Sequence, residues 1–438
     1  MSARVTRITS LGPAGTTLAN GVEPLRDWTR SIDLEGLARD LPTPFHVYSA
    51  DVIRARVGEL QRLLHGLDAQ ICYAVKANPS LAILRLMAEA GVGADIVSAG
   101  ELRRSLRAGI PATSIVFSGV GKTADEIAEA LQVGVARFNL ESVDELHVLQ
   151  REACTLGIVA RASARINPDV DAHTHAKIST GKADNKFGVS IDEARRWFAD
   201  QVNFTHVRLD GLHLHIGSQI QTAQPFRAAF TRVAQFWREL VAQGHAIASI
   251  DVGGGLGVAY RAGVDQPLGA AEYVQTVRDA LRDFQGQLLL EPGRFLVAEA
   301  GILLTRVIRI KQSGERRFLI LDSAMNDLLR PALYDAWHDM EPVSHRDREP
   351  TLYDIVGPVC ETGDTFSRAR MLPECLAGDL LMIRTTGAYA ASMASTYNSR
   401  CLAAEVLVDG ERHALVRERQ SFDAMVAGEV LEPQWRTT

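Results

Sequence analysis

The chain has 438 residues, with 47 Lys and Arg against 53 Asp and Glu, a formal charge of −6, 46% hydrophobic and 23% charged residues. This usage excludes disorder as the overall state, and the length suggests two or three domains around a large core. No concentrated basic block supports general nucleic-acid binding, and no run approaches the roughly 18 apolar residues that a membrane-spanning helix needs.

The first twenty residues carry Arg4 and Arg7 and no acid. They lack the apolar stretch of a secretory signal, so a loosely held N-terminus is expected. The five cysteines, at 72, 154, 360, 375 and 401, form no CxxC pair. An odd number without metal-ligand spacing points away from a disulfide framework or structural zinc, and towards a reducing, cytoplasmic setting.

From about residue 70, short β-rich runs alternate with amphipathic helical stretches. The runs lie at 71–75, 93–97, 114–118, 135–139, 160–166, 211–216, 248–252 and 287–291. Between them, 80–90 (SLAILRLMAEA) has apolar residues at helical spacing, and 141–152 (ESVDELHVLQRE) adds acids in its first turn. Eight alternations predict an α/β fold, a (β/α)8 TIM-type barrel in preference to a doubly wound sheet. After about residue 302, ILLTRVIRIKQ, RRFLILD, DLLMIRT and AAEVLVDG read as strands separated by turns. They predict a second, β-rich domain of sandwich or barrel-like form. The expected division is 1–44 as an N-terminal segment joining the β-rich domain, 45–305 as the barrel, and 306–438 as the C-terminal β-rich domain.

Barrel enzymes place reacting groups at the C-terminal ends of the strands. The first run ends in Ala74-Val75-Lys76-Ala77-Asn78, which puts an amine at the barrel mouth. Alone, such a lysine is usually one half of an ion pair, although a partly desolvated amine also condenses with aldehydes. The seventh run ends in Asp251-Val252-Gly253-Gly254-Gly255, and the eighth in Glu291-Pro292-Gly293-Arg294. Phosphate sites in these barrels are built by the loops after strands seven and eight, where glycines let backbone N–H groups approach an anion. An amine and a phosphate cradle at one barrel mouth fit pyridoxal 5′-phosphate, with Glu291 able to keep its pyridine nitrogen protonated.

The sixth run carries His213 and His215. A metal pair is one reading, as in amidohydrolase-type barrels, but those carry His-x-His on the first strand and further ligands at later strand ends. Neither condition holds here, and His173-Thr174-His175 supplies no regular series. The preferred reading has no metal: one histidine stacks on a planar ring and the other packs or hydrogen-bonds below it. In the second domain, Cys360 and Glu361 share a turn-like segment, where the thiol is either inert or a proton donor. Arg330 is a natural carboxylate clamp, and Tyr334, Tyr389 and Tyr397 read as packing if taken singly.

Together these motifs resemble the fold type III pyridoxal-phosphate decarboxylases, most closely the bacterial diaminopimelate decarboxylases. The resemblance runs from about residue 43 to 430. It rests on YAVKANPSLAILRLMAEAGVGADIVSAGEL, RINPDVDAHTH, KFGVS, GLHLHIGSQ, DVGGGLGV, EPGRF, MNDLLRPALYDAWHD, GPVCETGD, GAYAASMASTYNSR and AAEVLVDG, in that order. It implies decarboxylation of meso-2,6-diaminopimelate to L-lysine and carbon dioxide, the last step of lysine biosynthesis. Lys76 is then the Schiff-base lysine, with Asp95 among the cofactor contacts and His215 stacked on the ring. Ser218, Gly253, Gly254, Gly255, Gly293 and Arg294 contact the phosphate, and Glu291 the ring nitrogen. Tyr389 reaches cofactor and substrate, while Arg294, Arg330, Tyr334 and Glu361 hold the substrate's distal end. Cys360 is the acid that reprotonates the α-carbon. The family is homodimeric, and its Cys-Glu segment crosses into the partner's barrel, so each site needs two chains. Departures are Cys401-Leu402 where Pro-Arg is usual, and Thr362 where serine is common. Rival expectations are a decarboxylase for another diamino acid or a siderophore or antibiotic precursor, a racemase, and a silent cofactor-binding regulator.

Overall fold

The computed structural model describes residues 25–171, 186–344 and 347–436. The expectations for the first twenty residues and for His173-Thr174-His175 lie outside them. Among the described residues no helix is long and apolar enough to cross a membrane.

Strand β1 (Phe45–Ser49) precedes eight strands that close a parallel barrel: β2 (Ala69–Ala74), β3 (Gly93–Ile96), β4 (Ile115–Phe117), β5 (Arg137–Leu140), β6 (Ala160–Arg165), β7 (Val207–His213), β8 (Ser249–Asp251) and β9 (Gln287–Leu290). Closure comes from β9 pairing with β2, with Leu288 opposite Ala69. Each barrel strand falls on one of the eight runs read from the sequence. Local signals set the helix ends between them. The helix Ala124–Val133 starts with a capping box in which Thr123 and Glu126 satisfy each other's backbone N–H groups, and it stops at Gly134.

β7 starts earlier than its run and ends at His213, so His215 lies past the strand. The ladder stops because β8 turns away at Gly253, whose φ is +68°. A Cβ there would sit 2.3 Å from the Leu214 carbonyl oxygen. The barrel interior is also more polar than the branched aliphatic filling usual for this fold. Arg137 and Asp210 pair at 2.6 Å, both buried, and Asn139, His213, Asp251 and Glu291 are buried nearer the mouth.

The second unit is a nine-stranded mixed sheet. Its strands are β1, β10 (Gly301–Ser313), β11 (Arg316–Leu321), β12 (Met340–Pro342), β13 (Pro350–Val356), β14 (Thr365–Pro373), β15 (Leu380–Arg384), β16 (Ala404–Asp409) and β17 (Arg412–Arg417). The main path runs β14-β13-β11-β10-β1-β16-β17, with β15 pairing both β10 and β12. Phe45–Ser49, which the sequence reading assigns to the barrel unit, thus pairs antiparallel with β10 and parallel with β16. All five of its residues are buried, so it shows no alternation by which a sheet strand could be told from a barrel strand.

The two units meet at the Lys76 turn. Asn78 Nδ2 donates to the Gly387 carbonyl at 3.0 Å, and the Tyr389 N–H donates to the Ala77 carbonyl at 2.8 Å.

Within β1, His46 is fully buried and, among the described residues, neither ring nitrogen has a hydrogen-bond partner. Burial, with Arg417 nearby, holds its pKa down at about 3. The unfolded chain binds that proton below about pH 6.5, whereas the folded chain refuses it until about 3. Stability is therefore lost as the pH falls through that window. Replacing His46 with Leu is expected to flatten the slope of unfolding free energy between pH 4 and 6 by about 1.4 kcal/mol per pH unit. Urea titrations at both pH values measure this, and an unchanged slope would contradict the neutral assignment.

Candidate active site

Lys76 follows β2 in the short 3-10 turn Val75–Ala77. Below it, the Tyr73 hydroxyl donates to the Asn78 carbonyl at 3.0 Å. The Lys76 ammonium meets Asp95 Oδ2 at 2.7 Å, with the lysine side chain 40% exposed and the aspartate 0%. Burial works against the ammonium, but Asp95, Tyr389 and Glu291 outweigh it and raise the lysine pKa above its ordinary value.

Glu291, immediately after β9, forms the cavity floor. Its Oε2 accepts from His213 Nε2 at 3.2 Å, and its Oε1 from Ser118 Oγ and Asn139 Nδ2, both at 3.3 Å. Burial pushes this carboxyl up, yet His213, Lys76 and His215 prevail and hold it below the usual carboxylate range. Asp251 beside it goes the other way, raised by burial and by Glu291. Two neighbouring carboxyls in one environment are thereby pushed apart, one ionised and one tending to keep its proton. His213, Asp251 and Glu291 bring their ligand atoms within 4.8 Å of one another. His215 has its Nδ1 as acceptor for the Gly254 N–H at 3.2 Å. Burial, then Arg165 and Lys76, holds its pKa down at about 3, so the ring is neutral with its proton on Nε2.

The opposite wall is cationic. Arg294 donates to Tyr260 Oη at 2.5 Å and to Ser218 Oγ at 2.8 Å, and its guanidinium lies 4.8 Å from the Tyr389 ring centre. Arg330 donates to His338 Nε2 at 2.7 Å. That nitrogen is free to accept because His338 Nδ1 donates to the Arg384 carbonyl at 2.8 Å. Both guanidiniums are 6% exposed, and among the described residues neither has a carboxylate within ion-pair distance. A buried cation without a counter-ion costs several kcal/mol, so this wall is built to receive anionic groups. Tyr389 itself sits at φ +57°, a left-handed conformation costly for a side chain with Cβ and held by its bond to Ala77.

Between these groups lies a cavity of about 600 Å³. Lys76, His215, Ser218, Gly255, Glu291, Gly293, Arg294, Arg330, Tyr334 and Tyr389 all line it. Asp95, Gly253 and Gly254 stand behind this lining. Gly254 packs so closely that a Cβ would lie 2.2 Å from the Glu291 carbonyl oxygen. Cys360 and Glu361 do not line it; both are exposed, on a loop braced by Asp364, which accepts from the Val359 and Met325 N–H groups at 2.8 and 2.7 Å. Sequence reasoning missed Tyr260, His338, Ser118 and Asn139. Tyr260 had a signal, being on the same loop as the glycine run, whereas nothing local marked the others.

Residues 50–298 match the family model described as the pyridoxal-binding domain of pyridoxal-dependent decarboxylases. The chain is 46% identical over 416 residues to a diaminopimelate decarboxylase of Zymomonas mobilis, covering 94% of this chain and 98% of that one. It is 47% identical over 407 residues to a diaminopimelate decarboxylase of Pseudomonas aeruginosa, covering 93% and 97%. Among solved structures, the diaminopimelate decarboxylase of Helicobacter pylori complexed with L-lysine superimposes with a TM-score of 0.87 at 40% identity, covering 90% of this chain and 98% of that one.

Proposed function

We propose, from the premise that this chain belongs to the diaminopimelate decarboxylase family of pyridoxal-dependent enzymes, that it decarboxylates meso-2,6-diaminopimelate to L-lysine. The observation that carries the reading is the pairing of one partly exposed lysine, Lys76, with two buried guanidiniums that lack carboxylate partners among the described residues, across a single cavity. A ligand set with an aldehyde, a phosphate and a distal carboxylate satisfies all three.

The residues present fit pyridoxal 5′-phosphate. Among the described residues the buried Arg294 Nε is without a partner, the glycine turn Gly253–Gly255 brings backbone close to the cavity without side chains of its own, and Ser218 adds a hydroxyl. These residues with Gly293 would hold the phosphate, Lys76 the aldehyde carbon, and Glu291 the ring nitrogen. Neutral His215 would lie against the ring without repelling its proton. When bound, this cofactor supplies a sink for the electron pair left as carbon dioxide departs.

The chain's own groups do the rest. Asp95 holds the Lys76 nitrogen at 2.7 Å and so orients it at the cavity, where it would meet the aldehyde carbon. Arg294 and Arg330 clamp the distal carboxylate, with Tyr334 and Tyr389 closing around the chain between. Cys360 and Glu361 complete the site from a second copy of the chain, the thiol returning a proton to the α-carbon and Glu361 holding the distal ammonium. Their exposure on a braced loop supports a homodimer with shared sites. All five cysteines are free, which suits the reducing cytoplasm.

The test is carbon dioxide release from meso-diaminopimelate, ornithine, lysine and arginine, with chiral analysis of the product. Only the first substrate is expected to release gas, and the product is L-lysine alone. Preferred release from ornithine, a racemised product, or no release with saturating cofactor would overturn the reading.

A further inference from the structure

The cavity floor is two layers deep. Glu291 lines the cavity, whereas His213 lies beneath it and is 1% exposed. Because a carboxylate oxygen only accepts, His213 Nε2 carries a hydrogen and donates it to Glu291 Oε2 at 3.2 Å. Its Nδ1 is buried with no partner among the described residues. The ring therefore makes one polar bond among the described residues, and that bond goes to Glu291.

The contacts on the other oxygen are divided. Asn139 Nδ2 stands 3.3 Å from Glu291 Oε1, 3.5 Å from Asp251 Oδ2 and 3.0 Å from Ser118 Oγ. Ser118 both accepts from Asn139 and reaches Glu291 at 3.3 Å. His213 is thus a nitrogen donor aimed at Oε2 alone, whereas the Asn139 and Ser118 contacts are shared, and Asp251 also hydrogen-bonds with this carboxylate. A leucine or phenylalanine would fill the space without leaving Nδ1 unpaired, an arrangement that costs stability. Its presence asks for a return at Glu291.

We infer that His213 is a positioning residue whose N–H fixes the Glu291 carboxylate and lowers its basicity, so that the proton shared with the cofactor's ring resides on the ring nitrogen. The inference rests on the reading that Glu291 meets that nitrogen. The logic is electrostatic: a hydrogen bond to the charged form of an acid favours that form. The other titratable groups facing Glu291 act in both directions. Asp95 repels its charge and Lys76 supports it, while Asp251, which tends to keep its proton, hydrogen-bonds with it and the neutral His215 ring adds no charge. A donor aimed at one oxygen settles the balance and also the direction in which the carboxylate points.

The experiment uses the holoenzyme reconstituted with pyridoxal phosphate labelled with nitrogen-15 in the ring, and compares His213→Met, which lacks a donor, with His213→Gln, which places an N–H near the same point. Wild type is expected to show a pyridinium shift. His213→Met should move it towards unprotonated pyridine and lower kcat by about tenfold or more with KM within about twofold, and His213→Gln should restore most of both. Glu291→Gln is measured alongside. If Glu291→Gln leaves the ring shift unmoved, the reading of Glu291 fails. If Glu291→Gln moves it and His213→Met does not, or His213→Gln moves it as far as His213→Met, the inference about His213 fails alone. Should His213→Met not fold, histidine-labelled wild-type holoenzyme decides: a protonated, hydrogen-bonded Nε2 on His213 is expected, and an unprotonated Nε2 overturns the inference.

Discussion

Lys76→Ala is expected to bind pyridoxal phosphate without forming the visible absorbance band of the lysine-linked cofactor, and to lose activity by about a thousandfold or more. The loss has two sources. The amine that holds the aldehyde carbon is gone, so the cofactor is no longer fixed beside the substrate, and positioning alone is worth several orders of magnitude in rate. Asp95, fully buried, also loses the one cation it pairs with among the described residues. Breaking a buried pair costs about 3–5 kcal/mol, and the 40% exposure of the lysine discounts this to roughly 1–3 kcal/mol. The variant should therefore unfold at a lower temperature but remain folded at 25 °C. Retained decarboxylation would remove Lys76 from the chemistry, whatever its effect on stability.

The second large effect concerns the loop that does not reach its own cavity. Cys360→Ala should take up cofactor as wild type does and turn over about 100-fold to 10,000-fold more slowly, the usual span for loss of a proton donor. A mixing experiment then asks whose cavity the thiol serves. Lys76→Ala and Cys360→Ala subunits, each nearly inactive, are unfolded and refolded together. Random pairing makes about half the dimers mixed, each with one intact site of two, so about a quarter of wild-type activity should return. No recovery would mean that Cys360 acts within its own chain or not at all.

Much of this architecture was legible in the sequence, for physical reasons that can be named. Parallel barrel strands are buried on both faces and read as short apolar runs, so all eight were visible. Part of the cavity lining was visible because barrel mouths take their groups from strand ends: Glu291 follows β9 directly, and Lys76 and Arg294 lie in the turns just past β2 and β9. Where sequence reading faltered, long-range contact was deciding. Phe45–Ser49 carries the same all-buried pattern as a barrel strand, and only its pairing with β10 and β16 places it in the second sheet. His338 accepts from Arg330 because its other nitrogen is occupied by the Arg384 carbonyl, a fact with no local signature. The polar floor of Ser118, Asn139 and His213 gathers residues from three strand ends onto one carboxylate. Each of these, read singly, is an ordinary polar residue at the edge of a core.

A single cofactor would span the cavity from Lys76 to the glycine turn and Arg294. Reducing the reconstituted protein with borohydride and mapping its peptides tests this most directly. A phosphopyridoxyl group on Lys76, one per chain, lost when Arg294→Ala removes the cationic wall at limiting cofactor, is the predicted result. Labelling of a different lysine, or none at saturating cofactor, would contradict it.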